Sequence, residues 1–294
     1  MEQVCHYCSI YTVEEIIKNI SKMGKDYYLK FWASSIYAMN DPSEFIYGYN
    51  LLTKDILPLI EKELRIKDDR LKLSQLWRQI EGIHDTKEWD NKLIDAIYES
   101  HQSPFIISFS KRKDFLPLWN TYSDRGKGVC LCFDDYEWTN KHDNIEFLHK
   151  LHTTDISYGK IDESVFNVVK KLYSDYYRQY KDMPHSEQRV NKMILYLASL
   201  AVVASPYHKH KAYEYEEESR LIEFKKDEHE VKYRCNDRGR IIPYIEVPIK
   251  LEHLQKIIVG PSADSASITR ELKAQLSSYG ITDIVPSQIP YREF

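Results

Sequence analysis

The sequence predicts an α+β protein with a central mixed or antiparallel sheet and helical insertions. Three observations predict this class. Short apolar or alternating segments, typical of strands, occur near both ends of the chain. Longer segments with apolar residues at helical spacing lie between them. No composition break marks a linker, so we expect residues 1–294 to form a single domain with helical insertions at 43–100 and 160–205.

The predicted elements alternate along the chain. Strands are predicted at 4–9, 28–33, 105–109, 129–133, 156–158, 220–225, 230–234, 241–247, 256–260 and 282–285. Helices are predicted at 12–24, over most of 43–100, and at 162–182, 186–204 and 268–279.

Several local signals set the boundaries of these elements. Thr12 and Glu15 have capping-box spacing, which predicts the start of the first helix. The Asn-Asp-Pro sequence at 40–42 predicts a turn into a helix. Pro58 predicts a kink in the first helical insertion, and residues 235–239 predict a hairpin turn.

Composition excludes several classes of protein. The formal net charge is −4, which excludes a strongly basic chain that binds nucleic acid by charge alone. No apolar run approaches the ~18 residues that span a bilayer, and the N-terminus lacks a secretory signal pattern, so no membrane association is expected. The five cysteines are an odd number, which favours a reducing compartment, and we expect a cytoplasmic protein.

The acidic segment at 213–220 is the sharpest local pattern. On a strand or its entrance, Glu216, Glu218 and Arg220 would alternate onto one face. Two close carboxylates raise the pKa of at least one of them unless Arg220 or a ligand compensates. Such a pair suits a site that stabilises positive charge. The alternative is a solvated acidic edge strand with Arg220 as its ion-pair partner.

Two further positions are candidates for ligand contact. Ser108 and Ser110 share one side at the end of a buried-looking strand, where ligand-binding loops often begin. The alternative is that these hydroxyls satisfy backbone groups. His6 lies on an early strand between apolar neighbours, and the alternative for it is a hydrogen-bonded core or edge histidine.

The cysteines and one histidine segment raise the question of metal binding. Cys5-x-x-Cys8 with Cys130-x-Cys132 suggests zinc, but on a strand Cys5 and Cys8 point to opposite faces. Buried free cysteines are therefore preferred, and no metal is predicted. The His-Lys-His-Lys segment at 208–211 could bind a metal or phosphate, but a solvated loop is favoured.

Six short motifs in order resemble a bacterial family known as domain-of-unknown-function 2971. The motifs are His6-Tyr7-Cys8-Ser9, Asn40-Asp41-Pro42-x-Glu44, Ser108-Phe109-Ser110, Leu118-Trp119-x-x-Tyr122 leading to Gly128-Val129, Glu216-x-Glu218-x-Arg220, and Ile257-Ile258-Val259-Gly260.

The same layout more faintly resembles the ADP-ribosyltransferase superfamily, whose members act on NAD. That resemblance implies a sheet of the ADP-ribosyltransferase type and three catalytic residues. Glu218 would stabilise the oxocarbenium-like transition state and hold the ribose 2′-hydroxyl. Glu216 would orient or deprotonate the acceptor, and His6 would position the adenosine ribose.

The resemblance also implies a set of NAD-binding residues. Ser108 and Ser110 would contact the nicotinamide side, and Tyr7 or Tyr37 would stack on nicotinamide. Trp119 and Tyr122 would form a wall of the cleft or pack beneath it. Arg220 or Arg112 would contact the pyrophosphate, and His6 and Asn40 complete the set.

The resulting expectation is an NAD-dependent ADP-ribosyltransferase that acts as an intracellular toxin or phage-defence effector. Its acceptor would be a nucleic acid or a protein, and an antitoxin protein could restrain it. The first alternative is an NAD glycohydrolase, in which water is the acceptor. The second is a non-enzymatic binding module of a defence system, in which the acidic residues form a structural ion-pair network.

Overall fold

The computed structural model describes residues 3–38, 43–76, 104–134, 153–224, 230–235, 239–261 and 264–290. It confirms the α+β class, with a large mixed sheet and helices on both of its faces. The predicted turn at 40–42, the helical prediction over 77–100 and the centre of the predicted hairpin turn lie outside the described residues.

Most of the described strands fall close to the predicted positions, but residues 21–23 lie within the helix predicted at 12–24, and no strand is predicted at 153–155 or 208–209. The strands are β1 Gln3–Cys8, β2 Ser21–Met23, β3 Asp26–Ser35, β4 Pro104–Ser110, β5 Val129–Asp134, β6 Thr153–Asp155, β7 Ser157–Tyr158, β8 His208–Lys209, β9 Glu218–Phe224, β10 Lys232–Cys235, β11 Ile241–Lys250, β12 Leu254–Val259 and β13 Ile284–Pro286.

The helices lie between these strands. They are α1 Ile10–Lys18, α2 Ser43–Leu51, α3 Leu57–Glu63, α4 Leu116–Tyr122, α5 Glu163–Tyr180, α6 Glu187–Ala204 and α7 Ser265–Leu276.

The main sheet has the strand order β10-β11-β3-β4-β1-β5-β12-β13. Strand β2 pairs with β3, while β9 pairs with both β4 and β6 and forms a second branch. All of these pairings are antiparallel except that of β12 with β13. Strands β7 and β8 form a separate parallel pair.

The sheet splits beside the middle of β4. Strand β9 pairs with β4 along its whole length, but the other edge of β4 is shared by two strands. Strand β3 pairs with the start of β4, for example Ser34 with Ile106, and β1 pairs with its end, Cys5 with Ser110. Between these two contacts neither β3 nor β1 pairs with β4, so residues 107–109 lack a partner from these two strands on that edge. We call this interruption in the pairing, next to Ser108, the gap.

The two faces of the sheet have different covers. The front face carries Ile106 and Ile222, which join a core formed with α2, α3, α5 and α6. The back face carries Phe109 and Leu221, which join a second core with α1 and α7. Both residues of each pair follow the period-two alternation of β4 and β9.

Two helix boundaries differ from the predictions. Ser9, not Thr12, caps α1, because the Thr12 backbone N–H donates to Ser9 Oγ at 3.1 Å. The predicted kink at Pro58 takes the form of a π-helical segment, Leu52–Ile56, that precedes α3. Pro58 lies in the first turn of α3, where its missing N–H costs no hydrogen bond.

One helix, Glu187–Tyr207, is long and apolar enough to cross a membrane. In the fold 61% of its apolar 18-residue stretch is buried, as in the core helix of a folded protein. Its buried side chains belong to the front-face core.

Gly48 lets α2 approach the segment after α6. A Cβ on Gly48 would lie 2.5 Å from the Cα of Ser205, far inside contact distance. We therefore expect Gly48→Ala to lower the free energy of unfolding by about 1–3 kcal/mol, although alanine favours a helix by about 1 kcal/mol. Urea unfolding measures this change. A Gly48→Ala protein at least as stable as wild type would show that α2 does not need this approach.

Candidate functional site

Five buried charged side chains meet on the front face of the sheet. We call them the charge cluster, and they are Glu44, Lys209, Glu216, Glu218 and Arg220. Each side chain is at most 7% exposed. Charged groups are this deeply buried only when they are paired and hydrogen-bonded, so their geometry decides what the site can do.

Four separate elements bring these residues together. Glu44 lies in the first turn of α2, and Lys209 lies in β8. Glu218 and Arg220 lie on β9 and point to the front face. Glu216 ends a 3-10 helix ahead of the strand.

The link between Glu216 and Glu218 is a turn, not the strand alternation predicted from the sequence. Glu217 adopts the left-handed conformation with φ of 42°. This residue reverses the chain direction locally, so both flanking carboxylates reach Lys209. Glu217 itself stays at the surface and pairs with Arg112 at 2.7 Å.

Lys209 is the common partner of all three carboxylates. Its Nζ donates to Glu216 Oε2 at 2.6 Å and to Glu218 Oε2 at 3.0 Å. The same atom lies 3.1 Å from Glu44 Oε1 and 4.8 Å from the centre of the Tyr213 ring. The ammonium group is thus held among three anions and one aromatic face.

Arg220 fixes Glu218 with two hydrogen bonds. Its Nε donates to Glu218 Oε1 at 2.7 Å and its Nη2 to Glu218 Oε2 at 3.0 Å, a forked arrangement. Nη2 also donates to Glu44, and Nη1 donates to the Pro206 carbonyl at 3.0 Å. The guanidinium is therefore directed inward and fully engaged.

The cations decide the protonation of the cluster. Burial alone would raise the pKa of Glu218, but the charges of Arg220 and Lys209 outweigh it and lower that pKa to about 2. Burial would lower the pKa of Lys209, but Glu218 and Glu44 outweigh it and raise that pKa. Three carboxylates face two cations, so the formal charge of the cluster is −1.

Hydroxyl groups surround the acidic end of the cluster. Tyr122 donates its hydroxyl proton to Glu216 Oε1 at 2.9 Å, and Ser110 Oγ donates to the Glu216 carbonyl at 2.5 Å. The backbone N–H of Glu218 donates to the Tyr158 hydroxyl at 2.7 Å. Tyr122 is half-buried, so it lies between Glu216 and the outside of the protein.

Ser108 connects the cluster to the gap. It is the one residue of β4 that is not buried, although β4 lies in the interior of the sheet. It is the register partner of Arg220 on β9, so its side chain lies on the face that carries Glu218 and helps to lower the pKa of that carboxyl. Solvent therefore reaches the sheet next to the charge cluster.

His6 lies on the other side of Ser108. Its Nδ1 donates to the Ser108 carbonyl at 2.9 Å, which makes Nε2 the acceptor nitrogen of the neutral ring. The ring packs on the back face against Phe31 and Phe109, with centroids 5.2 and 5.7 Å away. Burial lowers the pKa of His6, so the imidazole is neutral at pH 7. Ser108 thus joins two predicted site residues, His6 and Glu218, that occupy opposite faces.

A half-buried arginine lies near the gap on the β3 side. Arg234 of β10 donates from Nη2 to Ser34 Oγ at 2.9 Å, and its guanidinium lies 5.2 Å from the Trp32 ring. Trp32 also contacts Tyr244, with centroids 5.4 Å apart.

Four predicted NAD-binding residues are buried and make contacts within the protein. Tyr7 is buried, donates to the Arg112 carbonyl at 2.8 Å and packs edge-on against Trp119. Trp119 is 0% exposed, so of its two predicted positions it takes the one beneath the surface. Ser110 donates to the Glu216 carbonyl, and Arg220 is engaged by Glu218, so this geometry does not favour the pyrophosphate contact predicted for Arg220.

The remaining predicted residues have varied positions. Tyr37 is half-buried and packs edge-on against Phe45 at 4.8 Å, while Asn40 lies outside the described residues. The solvated loop predicted for 208–211 is wrong at its start. His208 is fully buried and its Nδ1 donates to the Ala204 carbonyl at 2.8 Å, and Lys209 is 2% exposed.

Sequence reasoning missed Lys209, Glu44 and Arg234 as site residues. Lys209 lies among alternating histidines and lysines, a pattern that resembles a surface segment. Glu44 carried a signal, since it completes the Asn-Asp-Pro-x-Glu motif. Arg234 carried none, because only the pairing of β10 and β11 brings it near β3.

The comparisons with known proteins bear on part of the chain. A family described as Protein of unknown function (DUF2971) matches residues 118–221. The chain is similar to that family over this range, which contains Lys209, Glu216, Glu218 and Arg220 of the charge cluster. The His6, Ser108 and Ile257 motifs lie outside it. No curated protein and no solved structure matches the chain.

Removal of Lys209 tests the cohesion of the charge cluster. In Lys209→Met, three carboxylates share Arg220 as their remaining cation, so we expect a loss of about 3–5 kcal/mol in the free energy of unfolding. Lys250→Met is the matched control, because Lys250 also pairs with two carboxylates, Asp26 and Glu252, but at the surface. Urea unfolding of both variants compares them. Equal, small losses would contradict a cohesive cluster.

The neutral state of His6 predicts a pH dependence. Below the ordinary histidine pKa of 6.5 the unfolded chain gains a proton at His6 while the folded chain resists it, so stability falls as the pH falls from 7. His6→Asn retains a donor near Ser108 and removes the titrating group. We expect a shallower decline of the melting temperature between pH 7 and 5, with His208 responsible for part of the remainder. An unchanged slope would contradict this role for His6.

Proposed function

We propose that this protein cleaves the nicotinamide–ribose bond of NAD and transfers ADP-ribose to an acceptor, on a sheet of the ADP-ribosyltransferase type. The observation that carries the proposal is the position of Ser108, which is paired with Arg220 of β9 on the face that carries Glu218. It joins a solvent-reached position beside the gap to a buried cluster that has one carboxylate more than it has cations.

The charge of the cluster suits the reaction. When the bond from ribose C1′ to nicotinamide breaks, its electron pair goes to the ring nitrogen, and positive charge develops on the sugar as in glycoside cleavage. A fixed carboxylate in a dry site stabilises that charge strongly, because it needs no reorganisation. Glu218 is fixed by two bonds from Arg220, and its low pKa keeps it ionised.

The acceptor step completes the atom balance. An acceptor oxygen or nitrogen attacks C1′ and loses its proton, so the products are ADP-ribosyl acceptor, nicotinamide and one proton. Glu216 is the base in this proposal. Its Oε1 holds the hydroxyl proton of Tyr122, so the half-buried Tyr122 hydroxyl is the group through which the acceptor proton would pass.

The far side of the gap offers groups for the rest of NAD. Arg234 replaces Arg220 as the guanidinium for the pyrophosphate, because it is half-buried and not bound to a carboxylate in the described residues. Trp32, beneath it, offers a planar face for a base. His6 offers the acceptor nitrogen Nε2 to a ribose hydroxyl.

A second candidate is an NAD glycohydrolase, in which water attacks C1′. The observation that favours it is the position of Glu216, which is 3% exposed and engaged by both Tyr122 and Lys209. A water molecule reaches such a base more readily than a macromolecular acceptor does.

The test uses two buried carboxylates. Glu218→Gln gives the charge cluster two anions and two cations, so it removes the excess negative charge and keeps most pairs. Glu61→Gln is the matched control, because Glu61 is equally buried but is bound by Tyr173 and Ser74 in the helical layer. We expect wild type and Glu61→Gln to consume NAD, and Glu218→Gln to lose at least ~100-fold in rate, as expected for loss of one electrostatic stabiliser.

The measurement is the fate of NAD labelled in its adenosine part, incubated with cell RNA, DNA and lysate. Label on a macromolecule, absent with Glu218→Gln, supports the transferase, and the labelled fraction identifies the acceptor class. Free ADP-ribose without transfer supports the glycohydrolase. If NAD is not consumed and does not raise the melting temperature, both proposals fail and the cluster is the structural centre of a binding module.

A further inference from the structure

Three cysteine sulfurs meet on the front face, away from the charge cluster. Cys5 on β1 is paired directly with Cys132 on β5, and their Sγ atoms are 3.4 Å apart. Cys130 is two residues before Cys132 on the same strand, and their Sγ atoms are 3.9 Å apart. All three sulfurs lie within 4.8 Å of one another.

The strand alternation selects this trio. Cys5, Cys130 and Cys132 occupy front-face positions, whereas Cys8 lies in the back-face core. As strand alternation predicted, Cys5 and Cys8 of the C-x-x-C pair do not share a site. Cys5 instead lies beside Cys130 and Cys132 of the C-x-C pair. The trio is at most 1% exposed and is covered by Leu118 and Trp119 of α4.

The spacing of the sulfurs suits a three-coordinate metal ion. A metal–thiolate bond is about 2.3 Å, so three sulfurs in a plane around one ion lie about 4.0 Å from each other. The distances from the Cys132 sulfur to the sulfurs of Cys5 and Cys130, 3.4 and 3.9 Å, are slightly shorter than this value. Small side-chain rotations would therefore open the triangle without any strand having to move.

The geometry points to Cys5, Cys130 and Cys132 as a trigonal site for one monovalent copper ion. Thiolates are soft ligands, which favour Cu(I). Zinc in a closed structural site takes four ligands, and the described residues group no fourth cysteine, histidine or carboxylate with these three. The apolar cover of Leu118 and Trp119 excludes the water that would complete a zinc shell.

The charge balance of the binding step follows from the ligand set. Cu(I) binds thiolates, so the protons of the bound thiols are released to solvent as the three sulfurs take up the ion. No electron is transferred, because copper enters and remains as Cu(I).

The experiment loads the full-length chain with copper. The chain is unfolded and refolded under argon with Cu(I) and a reductant, so that burial does not block access, and is then desalted in the presence of a Cu(I) chelator. We expect about one copper per chain in wild type. The site variant is Cys132→Ala, expected to lose at least ~10-fold in retained copper, in line with the loss of a ligand or its support. Cys8→Ala, a buried thiol on the back face, is the matched control and is expected to retain copper.

X-ray absorption of the wild-type complex provides a measurement that does not depend on variants. Three sulfur neighbours at about 2.3 Å support the site. The inference is overturned if wild type retains no copper, if Cys132→Ala retains as much as wild type, if the spectrum shows two sulfurs or nitrogen and oxygen ligands, or if zinc displaces copper from the refolded chain. Copper retention and the absorption spectrum are measured without NAD, so their outcome is separate from that of the NAD assay.

Discussion

The pairing of buried charges on the front face is the constraint on which the rest of the structure depends. Lys209 and Arg220 are buried, so their charges are satisfied only if Glu44, Glu216 and Glu218 all arrive together. This condition fixes α2, β8 and β9 relative to one another. It joins the helical layer to the sheet through charge as well as through apolar packing.

Ser108 gives the sheet its functional asymmetry. Because β3 pairs only with the start of β4 and β1 only with its end, the middle of an interior strand is reached by solvent. The backbone carbonyl of Ser108 accepts from His6, and its side chain lies on the face that carries Glu218 and Arg220. A ligand in the gap would meet a neutral imidazole on one face and a negatively charged cluster on the other, which is an unusual polarity for the interior of a sheet.

Sequence reasoning predicted the secondary structure well because most elements have their own periodicity. The strands around Phe109 and Leu131 and the two long helices are examples. It predicted Glu218 and Arg220 on one face because that depends on strand alternation alone. It could not predict Lys209 as a buried cation, since burial of a lysine depends on partners elsewhere in the chain. It also offered Tyr7 as a ring that stacks on a ligand and left two positions open for Trp119, because sequence does not distinguish a buried aromatic from an exposed one.

The separation of partners along the chain gives the charge cluster a place in the order of folding. Lys209 is only nine residues from Glu218, so these two can meet through a local loop. Arg220 and Glu44 are 176 residues apart, and closure of so long a loop carries a large entropic cost before any contact forms. We therefore expect α2 to dock after the contact between Lys209 and Glu218 has formed, and its docking to bring Glu44 to the guanidinium and complete the burial of the cluster.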